Sequence, residues 1–114
     1  MHALVGIWAM DEALSDEQDR LIHREIMPLV RAQPGFRSGY WMHDPETGKG
    51  HITMVFDSYE SASRFRTLLE SRTQQAALAG ITSDILTTVE VVAEASASAG
   101  TGTPASAVRE EWIP

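Results

Sequence analysis

Two histidines, His43 and His51, flank a predicted turn and are the side chains best suited to acid–base or metal chemistry. The hydrophobic pattern pairs Met42 with Ile52, and this register would place the two imidazoles opposite each other across a β-hairpin. Opposed imidazoles could bind a divalent metal ion or exchange protons near neutral pH. Asp44 is close, but no third ligand is evident, so we interpret the histidines as a solvated cross-strand pair and predict no metal site.

Aromatic and arginine side chains form a second group with chemical potential. Trp8, Tyr40 and Trp41 fall on predicted strands, where they either fill a core or interface or line a pocket for a small apolar ligand. Arg64 and Arg66 fall on the second predicted helix and could clamp an acidic or phenolate ligand. Because residues i and i+2 do not share a helix face, only one of these arginines can point inward.

The elements that must position these side chains follow the order strand, helix, strand, turn, strand, helix, strand. Apolar runs predict strands over residues 3–10, 36–43, 50–57 and 85–93. Helical spacing predicts one helix between the first two strands and another between the last two. A βαββαβ order with a short central hairpin is typical of a ferredoxin-like α+β fold. We therefore expect a four-stranded antiparallel sheet with both helices on one face, an architecture that hosts many unrelated functions.

Helix boundaries are predicted from capping residues. Ser15 as N-cap with Gln18 at N3 forms a capping box that starts the first helix. Pro28 falls inside the apolar stripe of that helix and predicts a kink or a looser end. Asp57 and Ser58 compete as the N-cap of the second helix, which we expect over residues 58–79.

The predicted hairpin register also decides which side chains share a face of the sheet. It pairs Tyr40 with Met54 and Ser38 with Phe56, which gathers larger apolar residues on one face and leaves Trp41 on the other. The two helices cover only one face, and the second still carries Trp, Val and Ile side chains. A contiguous exposed apolar patch usually marks an interface, so we expect a homodimer packed sheet to sheet about a two-fold axis.

Composition limits the partners and the compartment. The chain has 114 residues, a net charge of -7 and no cysteine. The acidic balance argues against a nucleic-acid or anionic-membrane surface, and the lack of cysteine excludes disulfides and thiolate chemistry. No apolar run is long enough to span a membrane and no signal peptide is visible, so we expect a cytoplasmic protein.

The C-terminal stretch differs in composition from the rest of the chain. We expect one ferredoxin-like domain over residues 1–94, followed by a flexible linker and tail over residues 95–114 rich in small and polar residues. The last residues, VREEWIP, again include large apolar side chains. They form either a disordered end or an arm that docks Trp112 on its own body or on a partner subunit.

Several stretches of the chain resemble the dimeric α/β-barrel superfamily, and most closely its antibiotic-biosynthesis-monooxygenase-like branch. In that branch a Pro-Gly-Phe sequence leads into the second strand, as it does here at residues 34–36 before SGYW. The pattern F-x-S-x-E-x-A opens the second helix, here at residues 56–62, after the turn DPETGKG at residues 44–50. The resemblance covers residues 3–94, and its motifs are specific for the fold rather than for an activity.

The resemblance implies a dimer whose sheets close into a barrel, with a small aromatic ligand bound between sheet and helices. Some members oxygenate polyphenolic compounds without metal or flavin, and others degrade haem with a histidine ligand on the second helix. Residues 58–79 contain no histidine, which excludes the haem branch. The oxygenases hold a phenol with an Asn, Trp, Tyr and Arg set. This chain has no asparagine, and its residues of suitable type are Tyr40, Trp41, Tyr59 and Arg66.

Three functions stay open at the level of sequence, and whether the protein is an enzyme is one of the open points. The first is a cofactor-independent monooxygenase-like enzyme acting on a small hydrophobic aromatic compound. The second is a non-catalytic domain that binds or senses such a ligand, and the third is a protein-interaction module that uses the dimer surface and the tail. No cofactor is predicted. The candidate pocket residues are Trp8, Tyr40, Trp41, Tyr59 and Arg66.

Overall fold

The structure is a computed structural model that describes residues 1–97. The C-terminal stretch with Trp112, which was expected to be either a disordered end or a docking arm, lies outside the described residues. Within them the strands are β1 (His2–Met10), β2 (Phe36–Asp44), β3 (Lys49–Phe56) and β4 (Ile81–Glu90). The α-helices are α1 (Ser15–Leu21), α2 (Met27–Arg31), α3 (Tyr59–Glu70) and α4 (Thr73–Leu78). A 3₁₀ turn at Glu12–Leu14 precedes α1, and a π-helical turn at Ile22–Ile26 joins α1 to α2.

The four strands form one antiparallel sheet in the order β2-β3-β1-β4. The helices pack on one face of this sheet, which we call the helix face, and leave the other, the open face, uncovered by any described element. The predicted ferredoxin-like fold is therefore confirmed. No helix within residues 1–97 is both long enough and apolar enough to cross a membrane.

The hydrophobic core lies between the helix face and α2 and α3. Its centre is made by the fully buried aromatic rings of Phe56 and Phe65, whose centroids are 5.9 Å apart. Alternation along the strands puts Leu4 and Met54 on the same face, and both are completely buried. Val30 of α2 and Ala62 of α3 complete this core.

The predicted register of the β2–β3 hairpin is wrong by one residue. Met42 lies opposite His51 rather than Ile52, and the last pair before the turn is Asp44 with Lys49. Turn geometry decides this register, because the amide of Gly48 bonds to the Asp44 carbonyl at 2.8 Å and Gly48 takes a φ of 74°. Both sides of the hairpin are rich in apolar residues, so the hydrophobic pattern alone does not distinguish the two registers.

In the observed register, several candidate site residues lie on the opposite face of the sheet from the one predicted. Trp41 pairs with Ile52 on the helix face, whereas Tyr40 pairs with Thr53 and projects from the open face. His43 lies opposite Gly50, so its side chain and that of His51 are on opposite faces of the sheet. The predicted opposition of the two imidazoles is therefore wrong.

The open face keeps a large apolar patch in spite of this exchange. Exposed side chains on it are Tyr40, Met42, Ile85 and Val89, with exposed fractions of 67%, 47%, 49% and 42%. They surround the partly buried Val5, Ile7 and Val55. The patch was expected to include a tryptophan, but Trp41 belongs to the opposite face.

The last strand begins four residues earlier than predicted, at Ile81 instead of Ile85. A bulge lets its polar start join the sheet: Ile7 pairs with Ile85, but Trp8 pairs with Ser83. The extra residue, Asp84, bonds to the ammonium group of Lys49 at 2.8 Å. The sequence Thr-Ser-Asp lacks the apolar alternation that predicts a strand. The bulge lets these polar residues join the sheet without that alternation.

The first helical segment does not begin with the predicted capping box. The N-cap of α1 is Leu14, with no side-chain hydrogen bond, and the carboxylate of Asp11 instead accepts the Ala13 amide of the preceding 3₁₀ turn. The predicted loosening near Pro28 takes the form of the π-helical turn directly before it. Proline has no N–H to donate to the carbonyl one turn back, and this is where the helix departs from α geometry.

The second helix is capped as one of the two predicted alternatives. The Ser58 hydroxyl accepts the Ser61 amide at 3.1 Å, so Ser58 rather than Asp57 is the N-cap. The predicted single helix is divided, because α3 ends at Glu70 and α4 begins at Thr73. Gly80, with a φ of 76°, follows the end of α4 in the left-handed conformation that favours glycine.

Candidate functional site

A cavity of about 930 Å³ lies between the helix face of the sheet and the helices, at the end where β1 finishes and β4 begins. The sheet side contributes aromatic, aliphatic and glycine residues: Trp8, Gly39, Trp41, Gly50, Ile52 and Leu86. The helix side contributes aliphatic residues: Leu21, Ile22, Ile26, Leu69 and Ala76. A concave, mainly apolar chamber of this size is typical of a small-molecule site.

Two glycines set the position of the two cavity tryptophans. A Cβ atom at Gly6 would overlap the ring of Trp8, so the indole lies over the bare backbone of its own strand. Trp41 lies beside Gly39 in a looser version of the same arrangement, with its ring carbon Cζ3 3.2 Å from where a Cβ would stand. Both rings therefore lie along the sheet and leave space between sheet and helices.

The indole N–H of Trp41 has no hydrogen-bond acceptor among the described residues, although it is buried. A buried donor without a partner costs about 1–3 kcal/mol of folding free energy. Trp41 packs against the core and also borders the cavity. An acceptor supplied on the cavity side would remove this deficit.

The charged side chains that border the cavity are mostly acidic. Glu12, Asp19 and Glu70 carry the negative charges, and Arg72 is the one arginine or lysine among the lining residues. Arg72 is already 3.7 Å from the carboxylate of Glu25. Tyr40, His43 and His51 are the titratable residues of β2 and β3 that border the cavity, and the register directs the exposed side chain of His43 to the helix face.

Gln18 is the buried polar side chain of this site. Only 6% of its surface is exposed, and its Nε2 donates to the Asp11 carbonyl at 2.7 Å and to the Ala79 carbonyl at 3.1 Å. It borders the cavity from α1. The Ser-x-x-Gln pattern predicts a helix-cap role for Gln18, yet its spacing of four residues from Ile22 and eight from Ile26 places it on the apolar stripe, which is the signal of an inward position.

The structure separates the residues that were predicted to form the site. Trp8, Tyr40 and Trp41 all border the cavity, although the strand register directs the Tyr40 side chain to the open face. Tyr59 packs edge-on against His2, with ring centroids 5.6 Å apart, at the opposite end of the sheet. Arg66 lies 3.6 Å from Glu70 and does not border the cavity.

Asp44, which was considered as a further metal ligand, has a role in the hairpin turn instead. Asp44 organises the hairpin turn, because its carboxylate accepts the Glu46 amide at 2.9 Å. This hydrogen bond is the main cause that lowers the pKa of Asp44 below its ordinary value. Within residues 1–97, no three histidine or acidic side chains are grouped so that they could hold a metal ion.

Comparison with known proteins supports the fold and leaves the activity open. No protein-family model matches the chain, and no curated protein matches it by sequence. Solved structures do match. One is described as a candidate antibiotic biosynthesis monooxygenase from Deinococcus radiodurans, with a TM-score of 0.70 and 14% identity over 86% of this chain and 99% of that chain.

Two further structures share the fold. Rv0793 from Mycobacterium tuberculosis has a TM-score of 0.63 and 19% identity, covering 83% of this chain and 98% of that chain. A monooxygenase from the gene ActVA-Orf6 of Streptomyces coelicolor, in complex with nanaomycin D, has a TM-score of 0.55 and 16% identity, covering 83% and 92%. At these identities the likeness concerns the fold, and on that level the predicted resemblance to the monooxygenase-like branch is confirmed.

Proposed function

We propose that this protein binds a small hydrophobic aromatic compound in the cavity between sheet and helices and oxygenates it without a metal or flavin. The observation that carries the proposal is the cavity itself, about 930 Å³ in volume and walled by Trp8, Trp41 and aliphatic side chains. Flat aromatic ligands suit such walls, because burying their surface and stacking on indole are both favourable. A structural neighbour with nanaomycin D bound is further support.

The proposed reaction converts a methylene group of a polyphenol to a carbonyl. Loss of a proton leaves a carbanion that the aromatic rings delocalise, dioxygen adds to that carbon, and the resulting hydroperoxide loses water. One oxygen atom enters the carbonyl, and the other leaves as water with both methylene hydrogens. The substrate supplies all four electrons, so no separate reductant takes part. His43, beside the cavity, is placed to accept the first proton.

Ligand binding without turnover is the second candidate function. It is favoured by the dispersal of the phenol-holding residue types, since Tyr59 and Arg66 lie away from the cavity and Tyr40 projects from the other face. The same cavity serves both functions. They differ in whether oxygen is consumed once the ligand is bound.

We also propose that the protein is a homodimer that buries the open faces of its two sheets. The support is the row of large exposed side chains on that face, with Tyr40, Met42, Ile85 and Val89 all more than two-fifths exposed. Apolar patches of this kind mark association surfaces, and a two-fold arrangement would bring two identical patches together.

A direct test uses 1,8-dihydroxyanthrone as ligand and substrate. Binding is followed by quenching of tryptophan fluorescence, and turnover by oxygen consumption and formation of the quinone above the rate in buffer. Ala76→Phe should abolish saturable binding, because residue 76 borders the cavity and the new ring would occupy it. Ala77→Phe is the matched control, since Ala77 is the exposed neighbour on the same helix and does not border the cavity.

The outcomes separate the candidates. Saturable binding with turnover, lost in Ala76→Phe and kept in Ala77→Phe, supports the oxygenase. Binding with the same dependence on residue 76 but no turnover supports the non-catalytic function. Absence of saturable binding by the unmodified protein contradicts both.

A further inference from the structure

We propose that Gln18 is the polar anchor of the cavity and that it selects ligands carrying a neutral hydrogen-bond donor, such as a phenolic O–H or an aromatic N–H. This inference rests on the proposed binding function and narrows its ligand class. It concerns a residue that supplies no charge and acts through one amide oxygen.

The hydrogen-bond partners of Gln18 determine which end of its amide is the nitrogen. The Asp11 and Ala79 carbonyl oxygens, at 2.7 and 3.1 Å, can only accept, so the group facing them must be the donating NH₂. Both amide protons are thereby used. The oxygen Oε1 is the end left over, and it accepts no hydrogen bond from the described residues.

Main-chain carbonyl groups from two separate helical segments hold the Gln18 amide in this orientation. Asp11 lies at the entrance to the first helical segment, and Ala79 lies at the end of α4. The two segments are joined directly, because the Asp11 amide bonds to the Gly80 carbonyl at 2.9 Å. A flip of the amide would set Oε1 against two carbonyl oxygens, so Gln18 presents an acceptor and not a donor.

The surroundings define the complementary ligand group. Gln18 is 94% buried and borders a cavity that is mainly apolar. A hydroxyl or N–H of the ligand would satisfy Oε1, whereas an ether or carboxylate would set a second acceptor against it. The carboxylates of Glu12 and Asp19 around the same cavity add repulsion against anions. The favoured ligand is therefore a neutral phenol or aromatic amine.

The test is a cycle of two probes and two proteins. The probes are 1-naphthol and 1-methoxynaphthalene, in which a methyl group replaces the donor hydrogen of the hydroxyl. The proteins are the full-length chain and its Gln18→Met variant. We expect 1-naphthol to bind about 3- to 10-fold more tightly than the ether, corresponding to one hydrogen bond, and this preference to disappear in the variant. A general loosening of the cavity by the substitution would weaken both probes together and leave their ratio unchanged.

Gln33→Met is the matched control for the protein side of the cycle. Gln33 also donates its side-chain amide to a main-chain carbonyl, that of Leu29 at 3.2 Å, but does not border the cavity. The control should keep the full preference for 1-naphthol. If Gln33→Met loses the preference as well, the anchor at Gln18 is refuted.

NMR of the unmodified protein provides a test even if Gln18→Met does not fold. The chain has four glutamines and no asparagine, so its side-chain amide spectrum contains four NH₂ pairs. We expect the Gln18 pair to shift on addition of 1-naphthol and to shift less with 1-methoxynaphthalene. Equal binding and equal shifts for the two probes would overturn the anchor while leaving the binding function intact. Binding of neither probe would refute the proposed function and, with it, the anchor.

Discussion

Single glycines decide how the cavity is lined, because they give large aromatic rings room to lie flat on the sheet. The Trp8 ring occupies the space where Gly6 would carry a side chain, and the Trp41 ring lies 3.2 Å from the corresponding position at Gly39. If either ring stood upright, it would take up volume between sheet and helices. The two glycines therefore increase the space available to a ligand by allowing the rings to lie along the sheet.

Gly6→Ala should displace the Trp8 ring, and Gly39→Ala should disturb Trp41 much less. A Cβ at residue 6 overlaps the ring, whereas at residue 39 the nearest atoms are 3.2 and 3.3 Å away and need to move only slightly. Overpacking of this kind costs about 1–3 kcal/mol, so we expect a loss in this range for Gly6→Ala and less for Gly39→Ala. Urea unfolding monitored by tryptophan emission measures both. Equal losses in the two variants would contradict the flat placement of Trp8.

At the residue level, side-chain type alone made Trp8 and Trp41 pocket candidates, whereas a role that depends on distant partners leaves no local signal in the sequence. Trp8 and Trp41 border the cavity, and their apolar, aromatic character made them candidates. Gln18 was assigned to a capping box because Ser-x-x-Gln fits that local pattern. One of its actual partners, the Ala79 carbonyl, is 61 residues away in sequence, and no local pattern contains that information.

At the scale of elements, turns and caps decided the details that hydrophobic patterns left open. The order of strands and helices was correct because apolar periodicity is strong in this chain. The hairpin register was not, because apolar residues occur on both faces of β2 and β3 and the turn from Asp44 to Lys49 sets the pairing. The early start of β4 escaped detection because a bulge accommodates polar residues there.

The two candidate serine caps differ in a way that mutation can measure. Ser58→Ala should destabilise the protein by about 0.5–2 kcal/mol, since its hydroxyl accepts the Ser61 amide at the start of α3. Ser15→Ala should change the free energy of unfolding by less than about 0.5 kcal/mol, because Ser15 is exposed and the N-cap of α1 is Leu14. Thermal or urea unfolding of the two variants gives the comparison. The reverse ranking would mean that the sequence-based capping box is the correct one.

At the scale of the whole molecule, the sheet has one face covered by helices and one that carries a bare apolar patch. The prediction of an uncovered face followed from counting two helices against four strands. Its composition was predicted incorrectly, since the register error exchanged Trp41 for Tyr40 and Met42. The size of the cavity on the covered face was beyond prediction, because it depends on how far the helices stand from the sheet.

Ile85→Asp should convert the proposed dimer to a monomer. Ile85 is 49% exposed on the edge strand β4 and belongs to the open-face patch, where a carboxylate in each subunit would be buried on association. Leu78→Asp is the matched control, because Leu78 is 83% exposed on α4, away from the open face. Light scattering after size-exclusion chromatography determines the mass of each variant. A monomeric unmodified protein, or a dimer that survives Ile85→Asp, would contradict sheet-to-sheet pairing.

The π-helical turn at Ile22–Ile26 has a geometric consequence for the helix that contains it. The inward residues Gln18, Ile22, Ile26 and Val30 are spaced by four. At about 100° per residue, a spacing of four drifts by about 40° at each step around an α-helix, or about 120° over three steps. A π-helical turn is wider and advances less per residue, so it takes back part of that rotation. One face of a single helical segment can thus meet the cavity at Gln18 and the packed core at Val30.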